Sequence, residues 1–321
     1  MAASSVAMAQ RIDRGVLAAV LSIPALLAAG ALYDARFLSP DYLLQQLQVA
    51  SFLGVIATGL MPVVLLGHID LSIPWVVTIG GMMATLAGSW GSGLSGLALG
   101  FAILCGLGVG LVNGVGVAYL RVPSMILTLA TNAIAQGLMI LHTSGFAPQD
   151  QASPALHFLA VQRTVAGIPN SLWVWAVVGG FTMAWLSRTT SGRAVYAIGN
   201  SERAAFLSRV HVNGITVGCF AFSGACSALA GALLAGYSSK AYQAMGDPYV
   251  LPAIAAVVLG GTSISGGRGS YSGTIAGVIV ITLLQSILSV VQVPEAARQI
   301  VHGAVLVALL LAHRRGSKSA Q

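Results

Sequence analysis

Long apolar runs follow one another along almost the whole chain: Val16–Tyr33, Ala50–Leu66, Ile73–Gly88, Leu94–Leu120, Pro123–Leu141, Leu172–Leu186, Val217–Gly236, Val250–Leu259, Ile275–Val291 and Ile300–Leu311. Polar residues collect in the short stretches between them. Crossing a hydrocarbon core as a helix takes about 20 apolar residues. Within lipid, only helices and closed barrels satisfy their own backbone groups. Several runs are shorter than that and must borrow flanking residues. The pattern predicts an all-α polytopic membrane bundle of about ten spans. Residues 1–15 form a tail, 16–313 the membrane domain, and 314–321 a second tail. Val16–Tyr33 lacks a convincing cleavage site and reads as a first span, not a removable leader.

Inside the runs, small and polar residues recur at helical spacing. Gly106, Gly110 and Gly114 repeat every fourth residue, a ridge that lets another helix approach closely. Asn113 lies on nearly the same face. Gly80–Gly81, Gly179–Gly180, and Gly231 with Ala235 show the same habit. Thr128, Asn132 and Gln136 form a polar stripe at i, i+4 and i+8, with Thr131 beside it. Thr282, Gln285 and Ser289 form another. Two readings stand for these stripes: hydrogen bonds between helices, or the wall of a path for a hydroxylated solute.

Charge fixes the predicted orientation. Only 7% of residues are charged and 56% are hydrophobic, which leaves too little material for a soluble surface. Let the N-terminus start in the cytoplasm and each run cross once. Cytoplasmic segments then hold eleven of the 15 basic residues: Arg11, Arg14, Arg121, Arg188, Arg193, Arg203, Arg209, Arg268, Arg314, Arg315 and Lys318. The other four, Arg36, Arg163, Lys240 and Arg298, fall outside with Asp34, Asp41, Asp150, Asp247 and Glu295. The excess obeys the positive-inside rule and puts both termini in the cytoplasm. It is not the single basic face of a nucleic-acid binder. Neither Lys240 nor Lys318 follows a glycine, so no Walker A phosphate loop exists. Cys105, Cys219 and Cys226 sit in apolar runs without metal or disulfide spacing and read as packing residues. No cofactor, metal site or catalytic residue is expected.

Asp70 is the one acidic residue embedded between spans, in Gly67-His68-Ile69-Asp70-Leu71-Ser72-Ile73-Pro74. A carboxylate at membrane depth costs about 2.5–3.5 kcal/mol, so it must be buried in protein or face water. Pro74 suits a first helical turn, and Asp70 or Ser72 can cap that helix. Asp70 therefore reads either as a cap that holds a broken helix or as a solute contact. The candidate path residues are Asp70, Ser72, Asn113, Thr128, Asn132, Gln136 and Gln285. After the sixth run comes a long basic loop, 188–212. Ser201 and Glu202 open a short helix through Ala204-Ala205-Phe206-Leu207, which predicts either an interfacial helix on lipid or a docking helix for a soluble partner.

These residues also carry a family resemblance. The chain resembles the permease subunits of bacterial ATP-binding cassette importers of the ribose, xylose and autoinducer-2 type. The matching segments are Gly67–Ser72, the Val-Pro-x-x-Ile-x-Thr-Leu of Val122–Leu129, Gly192–Asn200, and Leu251–Gly269, together covering roughly residues 50–312. The resemblance implies a bundle with broken helices near Asp70 and Gly260–Gly269, in the bacterial inner membrane. It implies transport of a small sugar or related polyol through a pathway formed with a second permease subunit. A periplasmic binding protein delivers the solute. A separate cytoplasmic ATPase docks on Gly199, Asn200, Glu202, Ala204, Ala205 and Arg209. Surrounding lipid is the remaining partner, and nucleic acid is not one. Two positions depart from the pattern. His68 replaces a second glycine before Ile69-Asp70-Leu71-Ser72, and Ser208-Arg209-Val210 stands where Ser-Gly-Ile is usual.

Other functions fit less well. A branched-chain amino acid permease shares the Val-Leu-Gly-Gly region but is not expected to carry Ile-Asp-Leu-Ser. A secondary transporter needs no docking loop. Gly93-Leu94-Ser95-Gly96 resembles the Gly-x-Ser-Gly of rhomboid proteases but reads as a turn.

Overall fold

The computed structural model describes residues 14–89, 95–146, 148–294, 296–301, 303 and 304. The last apolar run, Ile300–Leu311, and the C-terminal tail fall mostly outside these residues, as does much of the Gly93–Gly96 turn. Every regular element longer than an isolated bridge is helical among the described residues.

In chain order the helices are α1 (Arg14–Tyr33), α2 (Pro40–Leu65), α3 (Ile73–Gly88), α4 (Ala98–Ala118), α5 (Ser124–His142), α6 (Pro154–Val161) and α7 (Asn170–Arg188). There follow α8 (Thr190–Asn200), α9 (Glu202–Leu207), α10 (Val212–Ser238), α11 (Val250–Leu259) and α12 (Tyr271–Val290). Five are long and apolar enough to cross a membrane: α2, α4, α5, α10 and α12. The remaining apolar runs do not all become full spans. At about 1.5 Å per residue, the ten residues of α11 reach roughly half of a bilayer core of about 30 Å.

The bundle is organised around α10, a helix of 27 residues that packs against α2, α3 and α4. Glycine makes the closest of these contacts. A β-carbon on Gly106 or Gly110 would overlap the α10 backbone at Gly224 and Phe220, and one on Gly224 would overlap Gly106. Gly80 and Gly231 do the same at the α3–α10 contact. The glycine ridge predicted on α4 is therefore the seam that joins it to the central helix. Gly179 is covered by Tyr271, whereas Gly180 meets nothing within 4 Å.

Helix α12 runs antiparallel to α2: Tyr271 hydroxyl pairs with Thr58 at 2.8 Å, and Ser286 pairs with Tyr42. These contacts define two ends of the bundle. One end carries α8, α9 and the Gly260–Gly269 loop. At the opposite end, α6 wedges between α2 and α10. The Gln48 amide donates to Ala160 carbonyl at 2.8 Å, and Leu156 and Ala160 are buried. That short helix lies in a segment where no element is expected from the sequence.

The main chain is interrupted near Asp70 and again at Gly260–Gly269, as expected. A third interruption, at 239–249, is new. From Ser239, which stands at φ +62°, the chain turns back into the bundle. It places Gly246 against the Pro74 carbonyl and Met245 against Gly81 before α11 begins. Two discontinuities thus abut at the first turn of α3.

Candidate functional site: an interrupted helix and the loop that reaches it

Helix α2 ends in a tight reversal. Gly67 at φ +83° donates to Val64 carbonyl at 2.9 Å, and His68 donates to Val63 carbonyl at 3.1 Å. This is a Schellman ending, with glycine where left-handed backbone is required. His68, the departure from the family pattern, lies just past that position and needs no special backbone. Its ring stacks at 6.0 Å on Phe220 and lines a cavity of about 400 Å³ together with Arg121, Ser124, Glu202 and Thr216. Burial lowers the imidazole's pKa, which the Glu202 carboxylate partly opposes.

The chain then runs outside any regular element from Ile69 to Ser72 before α3 starts. Non-helical backbone inside a bundle leaves amides without helical partners. Side chains from other helices take them. Three polar positions on one face of α5 each accept one: Ile69 N–H goes to Ser124 Oγ at 3.4 Å, Leu71 N–H to Thr128 Oγ1 at 3.0 Å, and Trp75 N–H to Asn132 Oδ1 at 3.2 Å. The predicted stripe is real, and its face meets the interruption. Gln136 is exposed instead. Steps of four residues on a 3.6-residue helix drift about 40° each, so the stripe turns away from α3 before it reaches Gln136.

Asp70 is 1% exposed and ties the interruption to itself and to α10. Its Oδ1 accepts from Ser72 N–H at 3.0 Å and from Ser72 Oγ at 2.6 Å. Its Oδ2 accepts from Ser223 Oγ at 2.8 Å. Asn113 Nδ2 donates in turn to Ser72 Oγ at 2.9 Å. Three donors thus converge on one buried carboxyl group and satisfy its oxygens within the bundle. Ser72 is the N-cap residue of α3, yet its side chain makes no capping bond. Asn132, from across the bundle, fills that role. Neither the cavity beside His68 nor a second one between α2 and α12 is lined by Asp70, Asn113, Asn132 or Gln136.

Helix α8 connects this site to the exposed loop. A β-carbon on Gly199 would overlap the Leu65 carbonyl at the end of α2. Asn200 Nδ2 donates to Tyr196 carbonyl at 2.8 Å and Gly267 carbonyl at 3.3 Å, and Gly267 N–H donates back to Leu65 carbonyl at 2.9 Å. The Gly260–Gly269 loop is thus clamped between α2 and α8.

Helix α9 forms where the sequence places it, capped by Ser201 Oγ on Ala204 N–H at 3.3 Å. Its exposure corrects one expectation. Ala205 is buried at 4% against the bundle and is not on a free surface. Ala204 and Arg209 are exposed, and Glu202 pairs with Arg121 at the end of α4. Phe206 and Leu207, 68% and 74% exposed, are the apolar residues α9 presents outward. The helix stops in the same way as α2. Arg209 N–H donates to Phe206 carbonyl at 3.0 Å and Val210 N–H to Ala205 carbonyl at 3.1 Å. Here, however, the left-handed position is held by Arg209 at φ +59°. The Ser-Arg-Val departure thus falls on the one residue of the turn where glycine is favoured.

Comparison with known proteins agrees with this architecture. The sequence profile of a family described as the branched-chain amino acid transport system / permease component matches residues 42–310. A ribose import permease protein of Haemophilus influenzae is 35% identical over 291 residues, covering 89% of each chain. The Bacillus subtilis ribose import permease protein is 34% identical, covering 88% of this chain and 87% of its own. An L-arabinose ABC transporter permease protein of Azospirillum brasilense is 33% identical over 88% of this chain and 84% of its own. No solved structure matches. The chain belongs to this permease family.

Proposed function

We propose that this family member is the membrane subunit of an ATP-driven importer for a small sugar. The relatives transport ribose and arabinose by name, which favours a sugar over the branched-chain amino acids of the family's description. A second permease subunit completes the pathway, an extracytoplasmic binding protein delivers the solute, and a separate ATPase supplies the energy. Both termini and the 188–212 loop face the cytoplasm of a bacterial inner membrane.

The observation that carries this reading is the split character of α9. Ala205 holds the helix on the bundle while Phe206 and Leu207 stand in the open. An exposed apolar pair on a charged loop suits a partner's groove. Behind it, α8 bears on the end of α2, on Gly267, and so on the chain entering the interruption at Gly67–Ser72. The docking set is Gly199, Asn200, Glu202, Ala204 and Arg209 with Phe206 and Leu207. An ATPase that pulls on this loop would shift the population of path conformations through that chain of contacts. Asp70, Ser72, Asn113, Thr128 and Asn132 then position the interrupted helix, and solute contact falls elsewhere.

The test is at the exposed pair, since Ala205→Trp would disturb the chain's own packing. Phe206→Glu with Leu207→Glu should abolish copurification of the ATPase and solute uptake while the permease still inserts. Retained ATPase and retained uptake would remove α9 as the docking element. Retained ATPase with detachment of the loop from lipid vesicles would favour an interfacial helix. Orientation is read separately: Ser201→Cys should resist an impermeant thiol reagent applied outside intact cells, and Gln151→Cys should react.

A further inference from the structure

At the end of the bundle opposite α9 lies a cavity of about 300 Å³ between α2, α12 and the loop that enters α11. Its polar lining comes from Gln46, Tyr249, Thr282, Gln285, Ser289 and Ser286, the last already paired with Tyr42, with Arg298 beside them. Thr282, Gln285 and Ser289 are the second predicted polar stripe, brought together on one face of α12. Val49, Leu53 and Pro248 supply an apolar side. Thr282 is 3% exposed, and its hydroxyl has no hydrogen-bond partner among the described residues. A buried hydroxyl without a hydrogen bond costs about 1–3 kcal/mol, so this wall is incomplete as it stands.

The chemistry of the lining selects a class of ligand. Two amides, three hydroxyls, a phenol and an apolar strip match a polyhydroxylated solute, which alternates donors, acceptors and C–H faces. No described lining residue is acidic, so none of these residues offers a counter-charge to the ammonium of an amino acid. Arg298 is the one cation among the described lining residues, and its Nε already donates to Val293 carbonyl at 2.8 Å. One partly engaged guanidinium is thin provision for a phosphate. The volume sits at the small end of ligand pockets, about 300–1,000 Å³, which suits a pentose.

We propose that this cavity is a solute-binding site of the permease for an uncharged polyhydroxylated solute of pentose size. The inference rests on the importer reading for the solute's entry route. Pro248 and Tyr249 in its wall directly follow Gly246, which abuts Pro74. A solute held here thus touches the segment that meets the interruption of α3.

Protection from labelling tests the site directly. Ser289 is exposed, so Ser289→Cys is accessible to an impermeant thiol reagent. Cys105→Ala removes the half-buried thiol, and Cys219 and Cys226 are buried. With the full complex in membranes, saturating D-ribose or L-arabinose should slow labelling at least threefold, and leucine should not. Thr282→Val and Gln285→Leu should each weaken that protection, raising the half-protecting pentose concentration about three- to tenfold, as for loss of one neutral hydrogen bond. Equal labelling rates with and without pentose would overturn the proposal, as would protection by leucine or by anionic lipid alone. If Ser289→Cys does not insert, equilibrium binding of labelled D-ribose to wild type and Thr282→Val replaces it, with equal affinity overturning the site. Protection needs no ATPase, so failure of the importer reading, seen as absence of ATP-driven uptake by the wild-type complex, is told apart from failure here.

Discussion

Helices α10 and α5 are both long and apolar, yet they are held by opposite means. In α10, 78% of the most apolar stretch is buried; in α5, 11% is. Close backbone approach at Gly106, Gly110, Gly224 and Gly231 holds α10. Such a seam fits in one register only, because any shift drives side chains into backbone. Of α5, only Ser124, Thr128 and Ala135 are buried, and its polar grip is three hydrogen bonds, two to main-chain amides of the interruption and one to the first turn of α3. Such bonds re-form after a small displacement. One helix is a fixed axis and the other an adjustable brace, and the brace is the one that touches the interruption.

The strongest way to break this contrast is at the seam. Gly224→Leu forces a side chain into the α4 backbone, and overpacking costs about 1–3 kcal/mol or more. Most of the folded permease should be lost, read as a collapsed monodisperse peak in detergent. Gly108→Leu, where an added β-carbon meets nothing within 4 Å, should leave the peak unchanged. If both variants behave alike, the seam is not what holds α10.

Next in size is Asp70. Asp70→Leu strands the Ser72 amide and hydroxyl and the Ser223 hydroxyl in a dry site, at about 1–3 kcal/mol for each group that finds no new partner. Asp70→Asn keeps acceptor oxygen and should lose less. A thermal midpoint for Asp70→Leu equal to that of Asp70→Asn would show that the carboxylate network does not brace the break.

The α5 brace should respond weakly. Asn132→Leu removes one interhelical bond, about 0.6 kcal/mol on average, and should speed hydrogen exchange at the Trp75 amide. Gln136→Leu should leave exchange there unchanged. Equal effects from the two substitutions would mean that the stripe does not act through α3.

The smallest effect expected is a gain. Arg209→Gly relieves a left-handed residue, whose cost is about 1 kcal/mol, less what glycine adds in chain freedom. Helix α9 should fray less, seen as slower chymotryptic cleavage at Phe206 and Leu207. Faster cleavage would place the strain elsewhere.

His68 and Arg209 show how far the sequence speaks. Both are visible as departures from a pattern. Only the backbone says that the first is free, lying one residue past Gly67, and that the second occupies the strained position itself. The polar stripes were legible in the same partial way. Periodicity finds Thr128, Asn132 and Gln136 and also Thr282, Gln285 and Ser289, but it does not say which stripe meets main chain and which meets a cavity. Ala205 was misplaced for a related reason. In a six-residue helix, one turn decides which alanine is covered, and no local signal marks it.

What the sequence determined by itself is the solvent and the class: too few charges for a water-facing surface, apolar runs of membrane length, a basic asymmetry, glycine at close-packing intervals, and the motifs of a permease family. These are properties of composition and local spacing, where each residue acts nearly alone. The tertiary structure decided what depends on meeting residues far apart in the chain. It turned Val250–Leu259 into a half-length helix and folded 239–249 back against Pro74. It gave Asp70 three donors from Ser72 and Ser223, and it left Thr282 without a hydrogen-bond partner among the described residues. Inside a membrane, where water cannot satisfy a stray polar group, the role of each such residue is set by whichever helix the fold brings beside it.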